Sequence, residues 1–515
     1  MIIMMKLLLF MLLSHVLVDG RKPNVLFIVV DDLRPSIKVF NDDNAYTPNL
    51  DILAQKSFIF HNAFAQQALC GPSRTSFLTS RRPDSLHLYD VHSYWRHTVG
   101  NFTTIPQHFK ENGYMTHSIG KVFHPGVVSN YTDDFQYSWS FKPFHPVTDK
   151  YKNSRVCVNR YGHKQANIVC PVRIEDQPKE SLPDIETLNA GLKFLQRKWS
   201  KPYFLAVGFQ KPHIPLKYPR KYLDYHPLNK VTLPKNRQRP SDLPNVAWNP
   251  WLDVKSRDDV AALNISFPFG MMPDNFSLLI KQSYMAATTY IDDLIGKLLT
   301  EIDDNTIVVI FGDHGFSLGE HGEFAKYSNF DVATRVPLII HVPKWTETLV
   351  QSKELVELVD LFPTLVDLTQ ISPSLDTCSE KETKLCTEGI SLVPHMIDLI
   401  NNKTEKVRKR AIFTQYPRPG IYPSIYPNSD QPKLTDIQIM GYSIRTSLFR
   451  YTEWVEFDNS LFLPNWSKVY AIELYCHQFD KAENINLSNR PQMKHIMRRL
   501  RKQLIRGWRD AVDNF

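Results

Sequence analysis

The chain has 515 residues, with 61 Lys and Arg against 53 Asp and Glu, a formal net charge of +8. Apolar residues make up 43% and charged residues 22%, a globular balance that excludes a disordered, fibrous or collagen-like chain. The positive excess suits an acidic partner and is too small to point to nucleic acid.

In chain order the first element is a leader. Lys6 supplies a positive start, and residues 7–18 are apolar apart from Ser14 and His15. Twelve residues are too few to span a bilayer, so 1–20 reads as a secretory signal peptide. No later apolar run reaches 18 residues, so no membrane span is expected. Residues 24–30 (NVLFIVV), 203–209, 306–311 (TIVVIF) and 336–342 are continuous apolar runs, the pattern of strands buried on both faces. Residues 104–112 have helical spacing, and 277–302 form a long amphipathic helix. Helices alternating with apolar strands predict an α/β fold with a large parallel or mixed sheet, over 21–397. The polar, basic stretch 398–410 reads as a solvated loop, with a proteolytic processing site as the other reading. Beyond it, 411–414 and 442–455 are strand-like, and the chain from Pro491 is a basic amphipathic helix. The segment 398–515 therefore reads as a smaller α+β subdomain with a short antiparallel sheet.

Secretion changes how other residues read. Seven N-x-S/T sequons, at Asn101, Asn130, Asn264, Asn275, Asn402, Asn465 and Asn486, fit a glycosylated secretory protein. Cys157 with Cys170, and Cys378 with Cys386, read as local disulfides in an oxidising compartment. Cys70 and Cys476 either pair with each other or stand single.

Three of the apolar runs end in groups that bind metals or move protons: Asp31-Asp32, Lys211-Pro212-His213 and Asp313-His314. In open α/β sheets ligands bind beyond the carboxyl ends of the strands, so these groups are expected to converge. Three aspartates offer the hard oxygen ligands that Ca²⁺ or Mg²⁺ prefers. Cys70 precedes Gly71, Pro72, Ser73 and Arg74, a tight turn carrying a fixed cation suited to a phosphate or sulfate oxygen. A Cys-phosphatase loop would need five residues between Cys and Arg, and here there are three.

Residues 68–74 (ALCGPSR) followed by 77–79 (FLT), and 113–124 (GYMTHSIGKVFH), resemble the two signatures of the sulfatase family. The resemblance spans almost the whole mature chain. Within the family it is nearest to the members that remove the 2-O-sulfate of iduronate from heparan and dermatan sulfate. It runs through 61–67 (HNAFAQQ), 120–126 (GKVFHPG), 211–215 (KPHIP), 319–334 (GEHGEFAKYSNFDVAT) and 440–445 (MGYSIR). Three positions and one segment depart from it: Ser80 where Gly is usual, Phe316 where Trp is expected, Cys476 where the tail motif has Asp, and 343–355, which is shorter than expected.

The resemblance implies an alkaline-phosphatase-like fold and a lysosomal, formylglycine-dependent hydrolase. Cys70 would be converted by the formylglycine-generating enzyme, leaving Cys476 unpaired. One hydroxyl of the hydrated aldehyde would attack sulfur, and the other would then expel sulfate. Asp31, Asp32, Asp313 and His314, with an oxygen of residue 70, would hold one Ca²⁺. Arg74 would neutralise charge, Lys121 would clamp the sulfate, and His124 would serve as base. His213 and Lys326 would face the leaving oxygen, and Tyr327 and Arg445 would complete the substrate site. The rival readings are a phosphatase or phosphodiesterase of the same superfamily, a sulfatase for another sugar, and an inactive glycan-binding relative. Cys70 with Pro72 and Arg74 argues against the first.

Overall fold

The computed structural model describes residues 21–158, 161–379, 384–403 and 409–512. The signal peptide expected over 1–20 lies outside the described residues. The large sheet is built from β1 (Asn24–Val30), β2 (Phe58–Phe64), β3 (Met115–Gly120), β4 (Tyr203–Phe209), β5 (Thr306–Gly312), β6 (Arg335–His341) and β7 (Val350–Glu357). Their order is β7–β2–β6–β5–β1–β4–β3. β6 runs antiparallel to both neighbours and every other pairing is parallel.

β1 shows why the central strands are apolar throughout. Leu26, Ile28 and Val30 enter one core, whereas Val25, Phe27 and Val29 enter another on the opposite face. The first core is covered by α2 (Pro183–Leu195) and α3 (Asp274–Leu299), the second by α1 (Cys70–Thr79) and α4 (Leu361–Thr369). The expected strands at 24–30, 203–209, 306–311 and 336–342 are all present. β2, β3 and β7 carry polar residues such as Asn62, His117 and Lys353 and so form no continuous apolar run. The long helix begins and ends three residues earlier than its periodicity predicts.

A second sheet follows, an antiparallel meander of β8 (Ala411–Arg418), β9 (Ile439–Thr446), β10 (Phe449–Asp458) and β11 (Leu463–Cys476). The stretch 442–455 is thus two strands joined by a tight turn. Helix α5 (Lys494–Arg506) packs Leu500 and Leu504 onto this sheet beside Tyr451 and Val455. The expected solvated loop at 398–410 needs correction at both ends: residues 398–400 are the last turn of a helix, Val393–Ile400. Lys409 is buried and its ammonium sits between Glu357 and Asp360. Residues 404–408 lie outside the described residues.

The disulfides Cys157–Cys170 and Cys378–Cys386 are present, and Cys70 and Cys476 are buried and free. Six sequon asparagines are exposed. Asn486 is not: its side-chain amide donates to Ile472 O at 3.2 Å and its oxygen accepts from Leu474 N at 3.0 Å. A glycan cannot be carried there in the folded protein. Ser80 ends α1 with φ +52°, which explains why glycine is usual at this position. Its hydroxyl donates to Val359 O at 2.6 Å. Among the described residues no helix is long and apolar enough to cross a membrane.

Candidate active site

The strand order brings the site together. β5, β1 and β4 are adjacent and parallel, so Asp313-His314, Asp31-Asp32 and Lys211-His213 emerge side by side at their carboxyl ends. β3 adds Lys121 at the end of the next strand. Backbone contact there is close: a Cβ on Gly208 would stand 2.0 Å from Lys121 O, so only glycine fits. After β2 the chain turns into α1, whose first residue is Cys70. The helix N-terminus thereby directs its positive dipole end at the reacting position.

Four groups surround the Cys70 sulfur. His314 Nε2 and Lys326 Nζ are each 3.3 Å away, Asp31 Oδ1 3.4 Å and Lys121 Nζ 3.6 Å. Lys121 pairs with Asp31 Oδ2 and Lys326 with Asp32 Oδ1, both at 2.5 Å. Arg74 is fully buried. Its Nε donates to Asp313 Oδ2 at 2.9 Å, Nη2 to Asp31 Oδ1 at 3.1 Å, and Nη1 to Lys121 O and to Val122 O at 3.0 Å. With four of its five N–H groups so engaged, Arg74 holds the carboxylates in place and offers little to a substrate. Ser73 Oγ donates to Asp313 O, fixing the same loop.

Charge follows from these contacts. Burial works to raise the Asp31 pKa, but the Lys121 ammonium and the Arg74 guanidinium outweigh it and hold the carboxyl well below its usual range. Asp32 moves the other way: burial and its neighbour Asp31 push it up despite Lys326. Burial would discharge Lys326, yet Asp32 and Cys70 keep it an ammonium. His124 and His213 are held neutral, by burial first and by nearby lysines second. His213 Nδ1 lies 2.6 Å from Ile214 O. A carbonyl only accepts, so Nδ1 carries the proton and Nε2 a lone pair.

The donor set fits a hard cation. Ligand atoms of Asp31, Cys70, Asp313 and His314 lie within 4.8 Å of one another, as do those of Asp31, Asp32, Cys70 and His213. Asp32 Oδ2 is buried and has no hydrogen-bond partner, an arrangement that a cation would satisfy. His314 Nδ1 lies 3.0 Å from Gly315 O, which fixes the tautomer with Nε2 toward the cluster. His213 joins this set, as the strand-end reading allowed, although the family resemblance placed it at the leaving oxygen.

Two expected substrate residues lie in other settings. The Arg445 side chain bonds Asp331 at 3.1 Å, His477 Nδ1 at 2.6 Å and Thr446 O, with none of the Cys70 group among its partners. These contacts join β9 to Asp331, just before β6, and to His477, just after β11. The Tyr327 hydroxyl donates to Asp253 Oδ2 at 2.5 Å and accepts from Gln431 at 2.8 Å. Tyr327 is buried and braces Lys326 from behind. Phe316 is buried too, stacked at 5.4 Å on Tyr284, whose hydroxyl donates to Asp32 O at 2.7 Å. Lys152 was missed. It is half-buried, its ammonium makes no hydrogen bond or ion pair among the described residues, and it lies in the fields of Lys121, Asp31 and Cys70. It sits in a polar loop with no motif to mark it.

Behind Lys326, Glu323 accepts from Asn249 N at 2.8 Å, and Asn249 Nδ2 donates to Lys326 O. Burial pushes the Glu323 pKa from 4.5 up to about 8. A folded pKa raised above the unfolded one gives stability that is full below about pH 4.5 and lost as pH rises through about 8. Glu323→Gln keeps the shape and removes the titration. Its melting temperature should match the parent at acid pH and exceed it above about pH 8. Parallel curves for the two proteins would show that Glu323 titrates alike in the folded and unfolded chain, and would refute the upward shift.

Residues 23–371 match the Sulfatase family, and the chain belongs to it. It is 46% identical to the iduronate 2-sulfatase of Mus musculus, over 93% of each chain. It is 47% identical to that of Homo sapiens, over 91% of this chain and 92% of the other. A solved structure described as a 2-O GAG sulfatase superposes with a TM-score of 0.66, at 20% identity, covering 95% of this chain and 93% of that one. That likeness establishes the alkaline-phosphatase-like sulfatase fold.

Proposed function

We propose that this sulfuric ester hydrolase removes the 2-O-sulfate of non-reducing-end iduronate in heparan and dermatan sulfate. The observation that carries the reading is the full-length match, at 46–47% identity, to two iduronate 2-sulfatases. A sulfatase for another sugar would share the Cys70 cluster but would not be expected to match these enzymes from end to end. The polyanionic substrate also agrees with the net charge of +8. The leader and the sequons support a route through the secretory pathway to the lysosome.

The Cys70 sulfur marks where the oxygens of the converted side chain would lie. As hydrated formylglycine, residue 70 supplies two hydroxyls on one carbon, one to attack sulfur and one to release sulfate. Asp31, Asp32, Asp313 and His314 would hold a single Ca²⁺, which supplies positive charge beside the sulfate. Lys121 and Lys326 flank the reacting position as ammonium groups and bind the sulfate oxygens. Lys326 is the proton donor to the leaving oxygen, since His213 Nε2 carries a lone pair. Neutral His124 takes up a proton at the hydroxyls of residue 70. Chelation should abolish activity and one Ca²⁺ per chain should restore it. Restoration by two zinc ions would instead favour the phosphatase reading.

Lys152, half-buried beside Lys211 and without an ion pair among the described residues, is a second candidate beside Arg445 for reading the uronate carboxylate. Lys152→Met should raise KM for a 2-O-sulfated iduronate disaccharide about tenfold, the worth of one charged hydrogen bond, and spare a small aryl sulfate. Equal losses on both substrates would remove it from that role. The substrate itself is tested with defined sulfated disaccharides. Faster turnover of 6-O-sulfated glucosamine than of 2-O-sulfated iduronate would reject the assignment and leave the sulfatase class.

A further inference from the structure

Helix α5 has the sequence KHIMRRLRKQLIR, with seven basic side chains and no acidic one. Its apolar side is engaged: Leu500 and Leu504 are buried against the C-terminal sheet, with Ile496 and Met497 packed beside them. Two cations on its flanks are paired, Arg501 with Glu453 at 2.9 Å and Arg506 with Asp510 at 3.4 Å. Lys494, Arg498, Arg499 and Lys502 are exposed and make no side-chain hydrogen bond or ion pair among the described residues.

Helix geometry gathers most of the basic positions of α5 on one face, with Lys494 at its margin. At 100° per residue, His495, Arg499, Lys502 and Arg506 fall within about 60° of arc, with Arg498 beside them, and the stripe rises about 16 Å. Within the protein this pattern is unfavourable. Lys494 and Arg498, and Arg498 and Lys502, are like charges four residues apart, and Lys494 stands at the positive end of the helix dipole. A sequence that breaks local rules with no internal compensation points to an external partner.

We infer that the outer face of α5 binds a sulfated polysaccharide chain at a site separate from the Cys70 centre. Regularly spaced anionic groups along an extended polymer match a linear row of cations. An anionic membrane is a poorer fit, because an interfacial helix must bury its apolar face in lipid and here that face is covered by β-sheet. The inference rests on the proposed substrate being a polymer of this kind. A chain held on α5 would raise the effective concentration of its end at the catalytic centre of the same molecule.

The test uses full-length protein in which Lys494, Arg498, Arg499 and Lys502 are all replaced by Gln, a change that keeps helix propensity. Binding to heparan sulfate is measured on a Cys70→Ala background, so the result does not depend on which ester is turned over. The quadruple variant should bind about tenfold more weakly and leave a heparin column at lower salt, the combined worth of four exposed charge contacts. With Cys70 intact, its kcat/KM on a sulfated disaccharide should equal the parent's, while KM for polymeric substrate rises. Unchanged heparan sulfate affinity would overturn the inference. So would a matching loss of disaccharide turnover, or binding to phosphatidylserine vesicles that the same four substitutions abolish while heparan sulfate binding persists. Lys494→Arg with Lys502→Arg, made in the otherwise unchanged chain, should retain the parent's binding because charge is kept, and its loss would count against the site.

Discussion

Cys70→Ala should lose turnover by on the order of 10⁴-fold or more, because the residue that forms the covalent bond is gone. Folding should survive. The thiol is small, and replacing it with a methyl group costs about 1 kcal/mol for a buried atom at the start of a helix. Secretion and thermal stability should therefore stay near the parent's while kcat falls below detection. Cys70→Ser separates the chemistry further. A single hydroxyl can attack sulfur, but it has no second hydroxyl on the same carbon through which to expel sulfate. That variant should at most release one equivalent of alcohol and then stop. Peptide mass spectrometry of active parent protein should find the aldehyde at position 70. Unmodified Cys70 in fully active enzyme would sink the mechanism, and so would steady turnover by Cys70→Ser.

The parts of this molecule that were legible in the sequence share a cause. β1, β4 and β5 are buried on both faces, so hydropathy alone marks them, and each ends abruptly in charged residues. Parallel neighbours at the centre of a sheet must place those ends together, so Asp31, His213 and Asp313 were predictable as one site. β2 and β3 were not legible, because a strand bonded on one side to a buried neighbour can carry His61 or Ser118 without forming an apolar run. Arg445 shows a different limit of the sequence. Its motif, MGYSIR, is a resemblance between chains, and resemblance does not say what a guanidinium touches. In the fold it meets Asp331 and His477, two residues far away in sequence. Lys152 was missed for the converse reason: it follows the short turn Val147–Tyr151 in a polar segment, which no periodicity encodes.

Lys409 gives the second large effect. The basic run around it resembles a linker by composition, yet its ammonium is 2.9 Å from Glu357 Oε2 and 2.7 Å from both oxygens of Asp360. Glu357 also takes Arg82 at 2.6 Å and the Phe413 amide at 3.0 Å. This cluster joins the end of β7 to the start of β8, and so the large sheet to the C-terminal one. Burial works to raise the Glu357 pKa, but Arg82 and Lys409 bring it down to about 2. Asp360 is pushed up by burial and by Glu357 in spite of Lys409. Lys409→Ala would leave two buried carboxylates sharing Arg82, which should cost about 3–5 kcal/mol. Exposed Arg410, the next residue, should cost about 0.5 kcal/mol or less when changed to Ala. The pH dependence has a definite sign. In the parent, the depressed Glu357 pKa gives stability that is present above about pH 4.5 and lost as pH falls toward about 2. In Lys409→Ala, protonation relieves the unpaired carboxylates instead. The deficit should therefore be greatest near neutral pH and shrink on acidification, read as the difference in thermal midpoint across the pH series. Equal deficits for Lys409→Ala and Arg410→Ala at neutral pH, or a deficit that grows in acid, would mean that Lys409 does not join the two sheets.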